Sequence, residues 1–169
     1  KIYIATNCFH YGHFISEYAM DVFRKIRSHY APSKKSHCSK RIYFSRRHIS
    51  TRQLINEDEC ENVFRSHGCE IVHPEILPWE EQIRLLANAT HLAGPAGTAM
   101  HQRVFAEKAS RVLYLVPDFF GAIHNYFFNE VPFGLSFDMV FGYRCHESSD
   151  RWKIDIEELE TGVERWLAE

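Results

Sequence analysis

Three arginines crowd the point where a strand-like run gives way to a helical one: Arg46, Arg47 and Arg52, within IYFSRRHISTRQLINEDE at residues 42 to 59. A guanidinium presents a planar fork of donors that matches phosphate or carboxylate oxygens two at a time. Some forty residues later GPAGT, from Gly94 through Gly97 to Thr98, leads into a second helical pattern. Glycines there let the backbone come close to a ligand, and the unbonded amides of a helix start favour negative charge. Both features suit an anion, and a diphosphate in particular. The competing reading is structural. The arginines would pair with Glu57, Asp58 or Glu59, each exposed pair worth only ~0.5 kcal/mol, and GPAGT would simply reverse the chain.

Other residue types with chemical potential form weaker patterns. Cys8, His10 and His13 offer thiolate and imidazole, the usual zinc donors, with His37 or Cys38 as a fourth. They lack the regular spacing of a zinc finger. No D-x-D stretch occurs to hold a divalent cation against a diphosphate, so neither metal nor cofactor is expected. The acidic run at 57 to 59 reads as a first-turn complement to a helix dipole. No serine or cysteine nucleophile signature is present.

The elements that must position these groups follow from periodicity. KIYIAT, RIYFS, CEIVHP, ATHLAGP and RVLYLVP read as strands, the last almost unbroken in apolar character, as expected when both faces of a sheet are covered. Between them, Phe14, Tyr18, Val22 and Ile26 recur at helical spacing. Asn56 with Glu59 forms a capping-box pattern ahead of Cys60, Val63 and Phe64, and Gly68 ends that helix. Pro78 suits a first helical position before the stripe Trp79, Ile83, Leu86. GTAMHQRVFAE reads as a helix, and DIEELETGVERWLAE as an amphipathic one. Strand and helix alternate, which predicts an α/β fold with a Rossmann-like, doubly wound parallel sheet. Ligands of such sheets bind beyond the carboxyl ends of the strands. The arginines and GPAGT both fall there.

Composition narrows the classes further. The 169 residues, 45% hydrophobic, can bury one sizeable core, so one domain spanning 1–169 is expected. A formal charge of −2 argues against a broad nucleic-acid-binding surface. No apolar run reaches the ~20 residues of a membrane span and no signal-peptide pattern opens the chain, so a cytoplasmic location is expected. Five scattered cysteines without a C-x-x-C pair fit reduced thiols. The aromatic stretch at 118 to 134 reads as packing against the core, or as an interface if exposed.

One ordered set of motifs goes beyond these generalities. YFSRR at 43 to 47, then Arg52, Asn56-Glu57-Asp58-Glu59, Gly68, Pro74-Glu75, Glu81-Gln82, Gly94-Pro95-Ala96-Gly97 and Phe105-Ala106 resemble glycosyltransferase family 61. Members carry a strand ending in Y-I-S-R, an R-x-x-x-N-E-x-E cap, an E-x-Q helix and a G-x-H-G-A-x-L-x-N turn in this order. The likeness covers roughly residues 41 to 117. HYGHFISEY at 10 to 18 is similar to the family's N-Y-x-H-F/W-x-x-E segment on the acceptor side.

The resemblance implies the donor-binding half of a GT-B enzyme, with residues 1–40 a remnant of, or linker from, an acceptor-side domain that is otherwise missing. It implies transfer of sugar from a nucleotide-sugar donor to a glycan or polysaccharide acceptor hydroxyl, as in capsular polysaccharide biosynthesis, inverting and metal-independent. Carried over by position, Arg46 and Arg52, with Arg47 beside them, would meet the diphosphate, and Gly94, Gly97 and Thr98 would admit it. Glu57 and Gln82 would orient neighbouring groups, and Gln102 would join the substrate-binding set. His13 and Glu17 would supply the base. Two positions depart from the pattern: Ala96 replaces the family's histidine and Gln102 its asparagine. A non-catalytic nucleotide-binding module, or an interaction subunit, is the alternative, and a homo-oligomer the alternative to a missing acceptor domain.

Overall fold

The computed structural model describes residues 9–10, 14–31, 40–106, 110–121, 130, 137–146 and 150–168. Two short strands, β1 (Phe9–His10) and β2 (Phe14–Ile15), pair antiparallel ahead of helix α1 (Glu17–Tyr30). The helical stripe thus starts later than Phe14. Ser16 sets its beginning, its side chain accepting a hydrogen bond from the Ala19 amide as an N-cap does. The expected strand KIYIAT, the loop at 32–39, and His13, with most of the proposed zinc set, lie outside the described residues.

The remaining strands form one six-stranded sheet. In chain order they are β3 (Lys40–Phe44), β4 (Glu70–Val72), β5 (Ala89–Pro95), β6 (Arg111–Pro117), β7 (Phe137–Arg144) and β8 (Trp152–Lys153). Their order across the sheet is β4-β3-β5-β6-β7-β8, parallel throughout except for β8, which runs antiparallel to β7. The chain first winds outward from β3 to β4, then crosses back over β3 to lay down β5. The winding therefore reverses between β3 and β5. Helices α2 (Glu57–Ser66), α3 (Trp79–Ala87) and α4 (Ile156–Leu167) make the layers, together with 3-10 segments at Pro74–Ile76 and Thr98–Phe105.

Strand periodicity decides which side chains meet which layer. Ile42 and Phe44 of β3 join Leu92, Val112, Tyr114 and Val116 in a core closed by Ile83, Leu86, Met100 and Phe105. Tyr43, from the same strand, points the other way and joins Leu113 and Leu115 under α2 and α4. There it stacks on Phe64 with ring centroids 4.1 Å apart, and Trp166 meets Phe64 edge-on. Gly68 ends α2 with φ +76, a left-handed conformation that glycine adopts without strain.

Three local expectations are corrected. Asn56 occupies the N-cap of α2 but caps nothing with its side chain; the amide instead bridges the backbone of Ile154, donating to its carbonyl at 2.8 Å and accepting from its N–H at 3.2 Å. Pro78 is itself the N-cap of α3, one position earlier than expected. The segment after GPAG is a 3-10 helix, whose bonds from Met100 to Gly97 and from Ala106 to Arg103 keep the tighter spacing at both ends.

Candidate functional site

The reversal of winding between β3 and β5 leaves a crevice beyond their carboxyl ends, since the two following segments depart to opposite faces. An open cavity of about 840 Å³ lies there, within the size range of small-molecule sites. Arg46, Arg52, Thr98, His101 and Gln102 bring polar groups to it. Phe23, Trp79 and Phe105 form an apolar wall, in which Trp79 and Phe23 each meet Phe105 edge-on, at 5.4 and 5.6 Å between centroids. Trp79 keeps 47% of its surface exposed.

Arg46 is set directly at the end of β3. Its backbone N–H donates to the Glu57 carboxylate at 3.3 Å, and its Nη2 donates to the Thr51 carbonyl at 2.9 Å. The turn that follows is closed by the Ile49 amide bonding to the Arg46 carbonyl at 2.9 Å. Its guanidinium lies over Gly97, where a Cβ would stand 2.5 Å from Nη1. Gly97 is fully extended, with φ −175, so what this position requires is the missing side chain, not unusual torsions. The amides of Thr98 and Ala99 precede the first 3-10 bond, from Met100 to Gly97, and both residues line the cavity.

Arg52 reaches the cavity from the next loop in a strained pose. It is the one non-glycine residue with positive φ among those described, at +48. Its N–H donates to Asp150 at 2.8 Å, its carbonyl accepts from the Trp152 indole at 2.8 Å, and its guanidinium stands 4.8 Å from the Phe120 ring centroid. Strain of this kind persists only where surrounding contacts over-determine it.

The other expected site residues divide. Gln82 and Gln102 both line the cavity and are bonded to each other, Gln102 Nε2 donating to Gln82 Oε1 at 2.6 Å. Gln82 also donates to the carbonyls of Pro74 and Leu77, which ties α3 to the preceding turn. Glu57 is 5% exposed and accepts from the Tyr43 hydroxyl at 2.7 Å, so it holds Arg46 from behind. Burial raises its carboxyl above the ordinary range, against the hydrogen bonds from Tyr43 and the Arg46 amide. Gly94 sits inside the sheet, where a Cβ would come within 2.9 Å of Met100 Sδ and of the Phe44 carbonyl oxygen; it permits close packing of β5 on β3 and lies off the cavity wall.

Arg47 turns away from the cavity. Its Nε and Nη2 grip the Glu61 carboxylate at 3.1 Å each, and Asp58 pairs with it as well. Glu61 is almost wholly buried and also accepts from Ser45 at 2.8 Å and Arg65 at 2.6 Å. Burial alone would raise its carboxyl, but the hydrogen bonds from Ser45, Arg65 and Arg47 outweigh that and hold it below the ordinary value. Of the adjacent pair, one arginine serves the cleft and the other the fold. Glu17, on the exposed first turn of α1, is bonded to Arg24 and does not line the cavity.

Several contributors carried no signal in the linear pattern. Arg103 is fully buried behind the Thr98–Phe105 segment, donating to the Ser110 hydroxyl and carbonyl at 2.8 Å and to Glu130 at 3.4 Å, while Tyr114 donates to Glu130 at 2.6 Å. Trp79 was legible only as core, and Glu75, on the cavity wall, only as part of a motif. Burial pushes two thiols up, Cys69 to about 11 and Cys60 higher still, so neither is a reactive thiolate.

Fold and cleft together define a mixed α/β protein with a mostly parallel six-stranded sheet and an open cavity at the point where its winding reverses. The family model described as Glycosyltransferase 61 matches residues 1–113, and the chain belongs to that family. The match takes in the motifs from Tyr43 to Ala106 and reaches back over the segment at 10 to 18. Membership supports a glycosyltransferase activity in general, with donor and acceptor substrates. No curated protein matches the chain. Among the described residues no helix is long and apolar enough to cross a membrane.

Proposed function

We propose that this chain is the donor-binding part of a nucleotide-sugar-dependent glycosyltransferase with GT-B architecture, and that the cavity between β3 and β5 holds the donor. The observation that carries this reading is the meeting of Arg46 with Gly97. It brings a guanidinium, a close backbone approach and the leading amides of the Thr98–Phe105 segment to one spot. Arg52 adds a second guanidinium on the same cavity.

Such a set suits the leaving group. As the bond between sugar and diphosphate breaks, negative charge grows on the phosphate oxygen, and donors fixed beforehand lower the barrier without having to reorganise. Trp79 and Phe105, packed edge-on, offer an apolar wall to a nucleobase or sugar ring. Transfer goes to a glycan hydroxyl with inversion. The base comes from the acceptor side, with His13 the remaining proposal on this chain, since Glu17 is engaged by Arg24 and stands off the cavity.

One observation favours a second reading, a binding module without chemistry. Ala96 stands where the family has histidine, and its own amide is taken by the Leu115 carbonyl at 2.7 Å, so that position donates nothing to a ligand. Thermal unfolding and calorimetric titration with UDP, GDP and ADP test the shared part. A bound nucleotide at a hundred times its Kd should add about 2.7 kcal/mol of stability, and Arg46→Ala should abolish the gain. Sugar release from the matching nucleotide-sugar separates enzyme from module. Absence of any nucleotide effect ends both.

A further inference from the structure

At the rim of the same cavity a second cluster remains without a role. His48 lies in the turn after β3, His73 immediately follows β4, and Glu75 belongs to the Pro74–Ile76 segment. Sheet topology makes β3 and β4 neighbours, so three residues from two loops arrive at one place. One ligand atom from each lies within 4.8 Å of the other two. The imidazole rings stand 5.0 Å apart and are tilted by 54°, neither stacked nor edge-on. Nδ1 of His73 is buried without a hydrogen-bond partner, an arrangement that costs free energy unless something satisfies it.

We propose that His48, His73 and Glu75 form a binding site for a divalent transition-metal ion of the zinc class. Two imidazoles and one carboxylate are a donor set for zinc and its neighbours, whereas magnesium and calcium take oxygen ligands. Tetrahedral binding with metal–nitrogen bonds near 2.0–2.1 Å puts donor atoms about 3.3 Å apart. The cluster reaches that spacing by small side-chain rotations, because His48 and Glu75 are exposed while His73 is held at the end of β4. Three protein ligands leave a coordination position for water or a ligand oxygen. Glu75 lines the cavity, so the cation sits on its rim. The absence of D-x-D spoke only to oxygen-ligated cations.

Metal binding here stands independently of the nucleotide reading; only a role for the ion beside a diphosphate rests on it. The purified chain, stripped with chelator, is titrated with Zn²⁺ against a chromogenic chelator, with Mg²⁺ as the contrasting ion. One equivalent of zinc and no magnesium is expected. His73→Ala should weaken zinc binding a hundredfold or more, and His48→Gln and Glu75→Gln at least tenfold each. The last two are surface changes that keep the test valid if His73→Ala fails to fold. Cys8→Ala/His10→Ala should leave binding intact. No stoichiometric zinc, or zinc lost in the Cys8/His10 variant but kept in His48→Gln, overturns the proposal. UDP titration with and without zinc runs alongside: zinc binding without UDP binding defeats the donor reading alone, and UDP binding without zinc binding defeats the metal site alone.

Discussion

The guanidinium of Arg46 occupies the space that a side chain on Gly97 would need, with Nη1 2.5 Å and Cζ 3.4 Å from the position of its Cβ. These residues follow β3 and β5, the two strands between which the winding of the sheet reverses. Because Gly97 is extended, alanine fits its torsions, and the obstacle is the flexible end of Arg46. Gly97→Ala should therefore leave the melting temperature near wild type while displacing the guanidinium. A charge-assisted hydrogen bond is worth about 1.5–3 kcal/mol, so UDP affinity by calorimetry should fall about tenfold to a hundredfold. Unchanged affinity would mean that this contact has no part in binding.

Arg52 permits a separation of fold from site. Its left-handed backbone costs a non-glycine residue about 1 kcal/mol or more, while its contact with Phe120 returns about 0.5–1 kcal/mol. Arg52→Gly removes both, so unfolding free energy in urea should move by no more than about 1 kcal/mol. Nucleotide affinity should nonetheless drop at least tenfold. A variant that loses stability and keeps affinity would make Arg52 a structural residue.

Much of this was legible in the sequence for physical reasons. β3, β5 and β6 are covered on both faces, so their apolar runs are long and unambiguous, and the carboxyl-edge position of Arg46 and GPAGT followed from them. β7 and β8 carry weaker signals: β7, although eight residues long, is buried at only two positions and so shows no unbroken apolar run, and β8 has only two residues. Whether an arginine faces a ligand or a carboxylate was not legible either. Arg46 and Arg47 are adjacent, and a strand end sends adjacent side chains to opposite sides, one toward Gly97 and the other toward Glu61. The His48, His73 and Glu75 cluster depends on the pairing of β3 with β4, which no local spacing encodes.

The buried ion pair behind the cavity predicts a marked asymmetry. Arg103 and Glu130 are both fully buried, and burial lowers the arginine and raises the carboxyl, each effect opposed by the partner's charge. Arg103→Met leaves Glu130 without its counter-charge and should cost about 3–5 kcal/mol. The double variant Arg103→Met/Glu130→Met removes both charges and should recover part of that loss. Urea unfolding of the two variants checks this, and an additive double loss would show that the two groups are not coupled in the fold.

Glu61 gives the fold a pH dependence whose sign can be worked out. Its folded carboxyl lies below the ordinary value of 4.5, through the bonds from Ser45, Arg65 and Arg47. A depressed carboxyl binds its proton less readily in the folded chain than in the unfolded one, so its contribution is fully present above about 4.5 and fades as pH falls through the lower folded value. Arg47 and Arg65 are themselves partly exposed, which limits the contribution. Glu61→Gln should lower unfolding free energy by about 1–3 kcal/mol at pH 7. The gap between wild type and variant should then narrow steadily below pH 4.5. Glu57 shifts in the opposite sense, in part through the charge of Glu61, so the difference between the two urea curves reports Glu61 together with its effect on Glu57. A gap that stays constant from pH 7 to pH 3 would show that the Arg47 clamp carries no net charge coupling, and that Arg47 is held at the strand end by packing alone.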